Sequence, residues 1–308
     1  MLVPFPPIVT PSVLPAAPVR QVFVHYHIME NAGSTLAAVL DREFGAAAYE
    51  VHRTGDAGPI ESEDLAAFLT ATPAARAVTS RHLQYPVPEI AGMEIFDCCP
   101  IRRPLDRLIS LYTFVAGDPG QALHPLAAER DVAAFLELLL NDHPDHVLNV
   151  QTVVLASRSR FVAAGPAERD RAVEAVCRSR VPVLVDRFDE SMVVAEYFLG
   201  PAFPGLRLHY VAVNVTRAGD APVAAREEAL RASCGEKLMR QLRAANALDE
   251  ELCDALSAEL DRRIALIPAF RARLTEFRER CEAARLEEER LEAARPEAEA
   301  ALAEPVAR

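Results

Sequence analysis

Apolar residues along this 308-residue chain fall into two kinds of run that alternate. Short β-branched and aromatic stretches, such as VFVHYHI at 22–28, have the pattern of strands, whereas STLAAVLDREF at 34–44 repeats its apolar positions at helical spacing. The same reading predicts further strands near 48–53, 76–80, 93–99, 181–186 and 206–213. Helices are predicted over 61–71, 104–116, 131–140, 145–157, 166–179 and 188–199. Such alternation implies an α/β fold with a mostly parallel central sheet flanked by helices. From about residue 223 only helical spacing continues, with a break at Pro268, which cannot sit in a helix interior without removing a hydrogen bond. Three regions follow: a Pro-rich N-terminal arm at 1–20, an α/β domain with a helical C-terminal part at 21–270, and a charged, helical or partly disordered tail at 271–308.

Composition narrows the function classes. About half of the residues are apolar and a quarter charged, a globular mixture. The net charge of −12 opposes general binding to nucleic acid or an anionic membrane, both of which require an excess of Lys and Arg. Lys237 is the sole lysine, so basic chemistry falls to arginine. No apolar run approaches the roughly 20 residues of a membrane span. The first 19 residues are apolar but interrupted by prolines and lack the basic start of a signal peptide, which implies an extended arm wrapped on a cytoplasmic protein. Six cysteines show neither CxxC spacing nor a disulfide framework, and adjacent Cys98 and Cys99 read as packing residues.

Three segments carry candidate chemistry. In HIMENAGST (27–35) a strand runs into a small-residue turn at a helix start, where backbone N–H groups and the helix dipole favour an anion; Asn31, Ala32, Gly33, Ser34 and Thr35 supply the small size and hydroxyls. The Gly-Lys-Ser/Thr ending of a nucleotide-triphosphate loop is absent, and Glu30 stands in the turn. In CCPIRRPLDRLISLY (98–112) Arg102 and Arg103 precede a helix opened by Pro104, with Ser110 two turns in, so a guanidinium and a hydroxyl can grip one phosphate. The competing reading pairs those arginines with carboxylates such as Asp97 or Asp106. In TSRHLQYP (79–86), His82 follows a strand at the edge where open α/β sheets place ligands, which makes it a candidate general base.

In this order the three segments resemble the sulfotransferases related to heparan sulfate 2-O-sulfotransferase and their bacterial relatives. The family pattern of H-I-P-K-T-A-G-T-S, then a G-H-like histidine, then R-D-P-x-x-R-x-x-S-x-Y is similar to HIMENAGST, RH ending at His82, and RRPLDRLISLY with Arg102, Pro104, Arg107, Ser110 and Tyr112. NVQTVVL (149–155), RFDESMVVAEYFLG (187–200), NVT (214–216) and NALDEEL (246–252) extend the likeness over about 21–260. The resemblance implies a P-loop-like fold that moves a sulfuryl group from 3′-phosphoadenosine-5′-phosphosulfate (PAPS) to a hydroxyl, without a metal. It places the 5′-phosphosulfate on Asn31 to Thr35, the 3′-phosphate on Arg102 and Ser110, and the acceptor proton on His82.

Glu30 departs from the pattern, because the family has a lysine there that assists the departing phosphate. Three expectations compete. Glu30 points away or is neutralised while Arg53, Arg81 or Arg103 supplies the charge; or the fold serves another donor or chemistry with Glu30 as a catalytic acid, a base or a partner for a cationic substrate; or the chain is a catalytically weak nucleotide-binding or regulatory protein. His25 and His27 share one strand face, as metal ligands do, but no third ligand accompanies them. His143 and His146 read as a polar loop in which Asp145 caps the next helix. Arg158 and Arg160 are candidates for an anionic acceptor. A small hydroxylated metabolite, a lipid-linked sugar or a carbohydrate precursor is the expected acceptor.

Overall fold

The computed structural model describes residues 19–53, 58–156, 163–213 and 221–303. Its strands are β1 (Arg20–Tyr26), β2 (Ala48–Glu50), β3 (Ala77–Ser80), β4 (Met93–Ile101) and β5 (Val181–Leu184). The helices up to the middle of the chain are α1 (Gly33–Phe44), α2 (Ser62–Ala71), α3 (Pro104–Gly117), α4 (His124–Ala127), α5 (Val132–Asp142) and α6 (Val150–Ala156). Then come α7 (Pro166–Arg178), α8 (Phe188–Leu199), α9 (Val223–Ala245), α10 (Ala247–Ile264) and α11 (Phe270–Ala303). All strand pairs are parallel, in the order β2-β3-β1-β4-β5. This is the predicted α/β fold: a parallel central sheet flanked by helices, with helices continuing beyond it.

Alternation along β1 explains why both faces are covered. Val22, Val24 and Tyr26 enter one core with Leu65 and Leu69 of α2, Val176 of α7 and Leu256 of α10. Phe23 enters the other with Leu36 and Leu40 of α1 and Met192 and Leu199 of α8. A third cluster joins Leu108 and Leu111 of α3 to Phe135 and Leu139 of α5 and Leu242 of α9, forming a helical annex beside the sheet. Connections leave β1 towards β2 and leave β4 towards β5. The switch point therefore lies between β1 and β4, where the loop after β1 meets the start of α3.

Several predicted elements differ from those observed. The alternating segment 206–213 is not a strand, because side chains satisfy its backbone: Arg42 donates to the carbonyls of Arg207 and His209, Glu43 accepts from Arg207 N, and Glu196 from Leu208 N. The helix predicted over 145–157 is a 3-10 turn at 144–146 followed by α6, separated at Asn149, whose φ is 44°. Asp145 does not cap that helix; the carboxylate of Asp249, from α10, accepts from the N–H groups of Gln151 and Thr152. The start of the expected tail belongs to the body, since Phe277 is fully buried and Arg280 forms two hydrogen bonds to Glu196. Pro268 does lie between α10 and α11. Most of the N-terminal arm (1–18), together with Arg158, Arg160 and NVT at 214–216, lies outside the described residues. No helix among the described residues is long and apolar enough to cross a membrane.

Candidate functional site

The loop from β1 to α1 turns through two left-handed residues, Glu30 (φ 69°) and Ala32 (φ 56°), and α1 begins at Gly33. Ala32 occupies the N-cap position, with no side-chain cap hydrogen bond. The first-turn N–H groups of a helix have no internal carbonyl partner, so the uncapped start of α1 presents donors and the positive end of a dipole. Ser34 is exposed. Thr35 is buried, and its Oγ1 accepts from Val213 N at 3.0 Å.

Gly33 is required here by a close approach. A Cβ at this position would lie 2.0 Å from Nε2 of His27, whose ring packs on the loop. Gly33→Ala is expected to cost about 1–3 kcal/mol in a urea denaturation series, because backbone and ring must both move. Burial, then the neighbouring Arg81 charge, lowers the His27 pKa to about 4, so the ring is neutral near pH 7. His27 stacks on His25 with ring centroids 5.3 Å apart, and His25 Nδ1 bonds to Thr79 Oγ1 at 2.7 Å. The two histidines form a packed stack; among the described residues no group of three ligating side chains surrounds them.

Asn31 is a bracket for the loop. Its side chain is fully buried and donates to Pro100 O at 2.8 Å and to Gln151 Oε1 at 2.7 Å. Gln151 Oε1 also accepts from Arg102 N, and its amide nitrogen donates to Arg102 O, each at 2.8 Å. Behind Gln151, Asp249 caps α6, while Asn149 Oδ1 accepts from the N–H groups of Leu248 and Asp249 and caps α10 in return. Sequence reading marked NVQT and NALDEEL as family-like but missed this partnership. The visible signal is an Asn just before the start of α6 and an acid in the first turn of α10.

Glu30 lies against α3. Ser110 Oγ donates to Glu30 Oε2 at 2.6 Å, and Arg102 Nη1 donates to the Glu30 carbonyl at 2.9 Å. Burial raises the Glu30 pKa above the ordinary glutamate value, and the Ser110 hydrogen bond with the Arg102 and Arg107 charges offsets part of that rise. Glu30 thus engages both residues expected to hold a 3′-phosphate, Ser110 through its carboxylate and Arg102 through its main-chain carbonyl. Arg107 is 2 % exposed, donates from Nη2 to His146 O, and has no partner at Nε among the described residues. Its role was not singled out from sequence.

Of the arginines expected to supply the missing charge, Arg53 and Arg103 are paired with other carboxylates. Arg53 pairs with Asp64, and Arg103 reaches Glu250 and Asp254 at 2.9 and 2.7 Å. Arg81 is exposed and acts on His27. Neutralisation comes instead from Arg102 and Arg107. Arg102 also bonds Asp106 at 2.6 Å, as the competing reading of those arginines had it. Burial alone would raise the Asp106 pKa, but hydrogen bonds from Arg226 and Arg102 outweigh it and hold the carboxyl below its usual range.

His82 follows β3, which pairs directly with β1. It is half-buried, and its Nδ1 accepts from Arg53 N at 3.1 Å. An N–H aimed at Nδ1 leaves the proton of the neutral ring on Nε2. His82 N donates to Ser80 Oγ, and the His82 carbonyl accepts from Ile60 N. Cys98 and Cys99 are buried free thiols with raised pKa values, inert packing groups. No protein-family model matches the chain, and no curated protein matches it.

Proposed function

We propose that the chain binds PAPS, or its product 3′-phosphoadenosine-5′-phosphate (PAP), at the switch point between β1 and β4 and acts as a sulfotransferase towards a hydroxyl. The observation that carries this reading is that, beside the start of α1, Ser110 donates to the Glu30 carboxylate while the charges of Arg102 and Arg107 act on it, so the place already holds an anion. Donors that hold a carboxylate also suit a phosphate oxygen once that carboxylate withdraws. Bound at this site, PAPS supplies an activated sulfuryl group whose leaving phosphate accumulates negative charge.

The chain's own residues divide the remaining work. Gly33 and the first-turn N–H groups of α1 face the 5′ end, Arg102 and Ser110 take the 3′-phosphate, and Asn31 with Gln151 holds the two loops in register. Donors preplaced where charge develops favour the transition state over the ground state. His82 takes the acceptor proton, which requires that the Arg53 amide let go of Nδ1. Hydrogen bonds of this kind commonly rearrange when substrate enters.

The seated Glu30 also supports a second reading, a nucleotide-binding protein of weak catalytic power, because the family lysine is replaced by a group that competes with the ligand. The test is transfer of labelled sulfate from PAPS to hydroxyl compounds by wild type and by His82→Ala. Loss of about 10²- to 10⁴-fold in turnover with PAP binding kept is the expected result. Turnover unchanged in His82→Ala removes the histidine from the mechanism, and PAP binding without turnover in either protein leaves the second reading.

A further inference from the structure

Beside His82 lies a cleft of about 420 Å³ between α2 and the ends of β2 and β3. Its walls are Val51, Ile60, Leu65, Phe68 and Leu83, and its polar groups are His52, Arg53 and Asp64. Ile60 and Leu65 are buried, as is Leu83, so the floor is fixed by the core. Ile60 pairs with Leu83 in a short parallel bridge, bonding the carbonyl of His82 on one side and Gln84 N on the other. The cleft wall and the backbone of His82 are therefore one hydrogen-bonded unit. Arg53 closes the same unit from the opposite side, with its amide on His82 Nδ1 and its guanidinium on Asp64. His52 brings its ring to 6.2 Å from that of His82.

We infer that this cleft is the acceptor site, and that it takes a compact hydroxylated molecule with an apolar, ring-sized body in place of a carbohydrate chain. The inference deepens the sulfuryl-transfer reading and rests on it. Volume and lining set the class. Sites for small molecules run from about 300 Å³ upwards and are mostly apolar with a few polar groups, and this cleft is of that size and make. A sugar presents hydroxyls all round and would leave most of them against Val51, Ile60, Leu65, Phe68 and Leu83 without partners, at a cost for each. A polyanion meets Asp64 at the cleft on a chain of net charge −12.

The segment carrying Val51 and Arg53 does two things, since it lines the cleft and its amide occupies Nδ1 of His82. A ring seated against Val51 moves that amide and frees the nitrogen. The acceptor hydroxyl oxygen then forms the new bond to sulfur, its proton goes to His82, and the bond from sulfur to the 5′-phosphate oxygen breaks with its electron pair on that oxygen. Acceptor entry and activation of the base are thereby one event.

The test is ligand-observed NMR of 2-naphthol and of glucosamine with wild type and Val51→Trp, with PAP thermal shifts on both. A second readout is fluorescence of Phe68→Trp, which places one tryptophan in a chain that otherwise has none. Expected results are saturable 2-naphthol binding to wild type, quenching of Phe68→Trp by the same ligand, and at least a tenfold loss in Val51→Trp with its PAP shift unchanged. Glucosamine binding in preference to 2-naphthol overturns the inference, as does naphthol binding that ignores both substitutions. Cleft binding of 2-naphthol with no PAP shift in any form upholds the cleft as a ligand site but removes the nucleotide reading beneath it.

Discussion

Glu30→Lys is expected to bind PAP about 10²-fold more tightly than wild type, and Glu30→Gln about tenfold more tightly, in calorimetric titrations at pH 7.5. Both changes remove a carboxylate that holds Ser110 Oγ at 2.6 Å and lies in the field of Arg102 and Arg107. Glutamine releases the charge and keeps the shape, whereas lysine adds a donor of the opposite sign. Each factor of ten corresponds to about 1.4 kcal/mol, well within what one charge beside a half-buried anion supplies. If PAP affinity is the same in all three proteins, Glu30 does not compete for the anion seat.

The same carboxyl makes binding pH-dependent, with a definite sign. Burial raises its folded pKa above the ordinary value, so the stability linked to its protonated form is complete below the unfolded value and is lost as pH rises through the folded one. For PAP, affinity of wild type relative to Glu30→Gln climbs as pH falls through that raised value. Against the effect of burial, hydrogen bonds from Arg226 and Arg102 hold the Asp106 carboxyl below its usual range, the opposite direction to Glu30. The phosphates of PAP titrate in both proteins, so the ratio isolates Glu30. A ratio that stays flat from neutral pH down to the ordinary glutamate range contradicts the assignment.

Asp249→Ala carries the largest expected loss of stability, about 3 to 5 kcal/mol, or roughly 8–15 °C in thermal unfolding. Asp249 is fully buried and accepts from Gln151 N, Thr152 N and Thr152 Oγ1 at 3.1, 2.8 and 2.7 Å. Removing it leaves those donors unpaired in the interior and uncaps α6. The damage reaches the anion loop, because Gln151 ties Asn31 to Arg102. PAP affinity therefore falls with stability. Asp249→Asn, which keeps one acceptor, recovers part of both, whereas a purely local packing role recovers neither.

Much of this architecture is legible in the sequence for a simple reason. VFVHYHI and MEIFDCC are short apolar runs that only a buried parallel strand accommodates, and RFDESMVVAEYFLG carries its helix start and apolar face within itself, so α8 spans the predicted 188–199. The segment 206–213 fails because alternation describes any extended chain, and whether a neighbouring strand or Arg42, Glu43 and Glu196 satisfy its backbone is decided by residues far away in sequence. Helix spacing likewise cannot anticipate the break at Asn149, whose cap partners lie 99 and 100 residues on.

The site divides along the same line. Ser110, Arg102 and the small-residue turn are local patterns, and they come together as expected. The direction of Glu30 is not local. Its left-handed backbone aims the carboxylate across the switch point to Ser110 of α3, 80 residues away. Arg107 falls in the family-like pattern but takes no role from sequence, since an arginine on a helix ordinarily faces solvent, whereas this one is buried and bonds the His146 carbonyl.

The central claim is that the donors between β1 and β4 form a seat for a 3′-phosphorylated nucleotide. It is tested most directly by calorimetric titration of PAP, and of adenosine 5′-phosphate as a ligand lacking the 3′-phosphate, into Glu30→Gln with and without Arg102→Ala. The account predicts one PAP site, weaker binding of adenosine 5′-phosphate, and a loss of about tenfold or more for PAP on removing Arg102, with little change for the other ligand. Equal affinity for the two nucleotides, or PAP binding indifferent to Arg102, would contradict it.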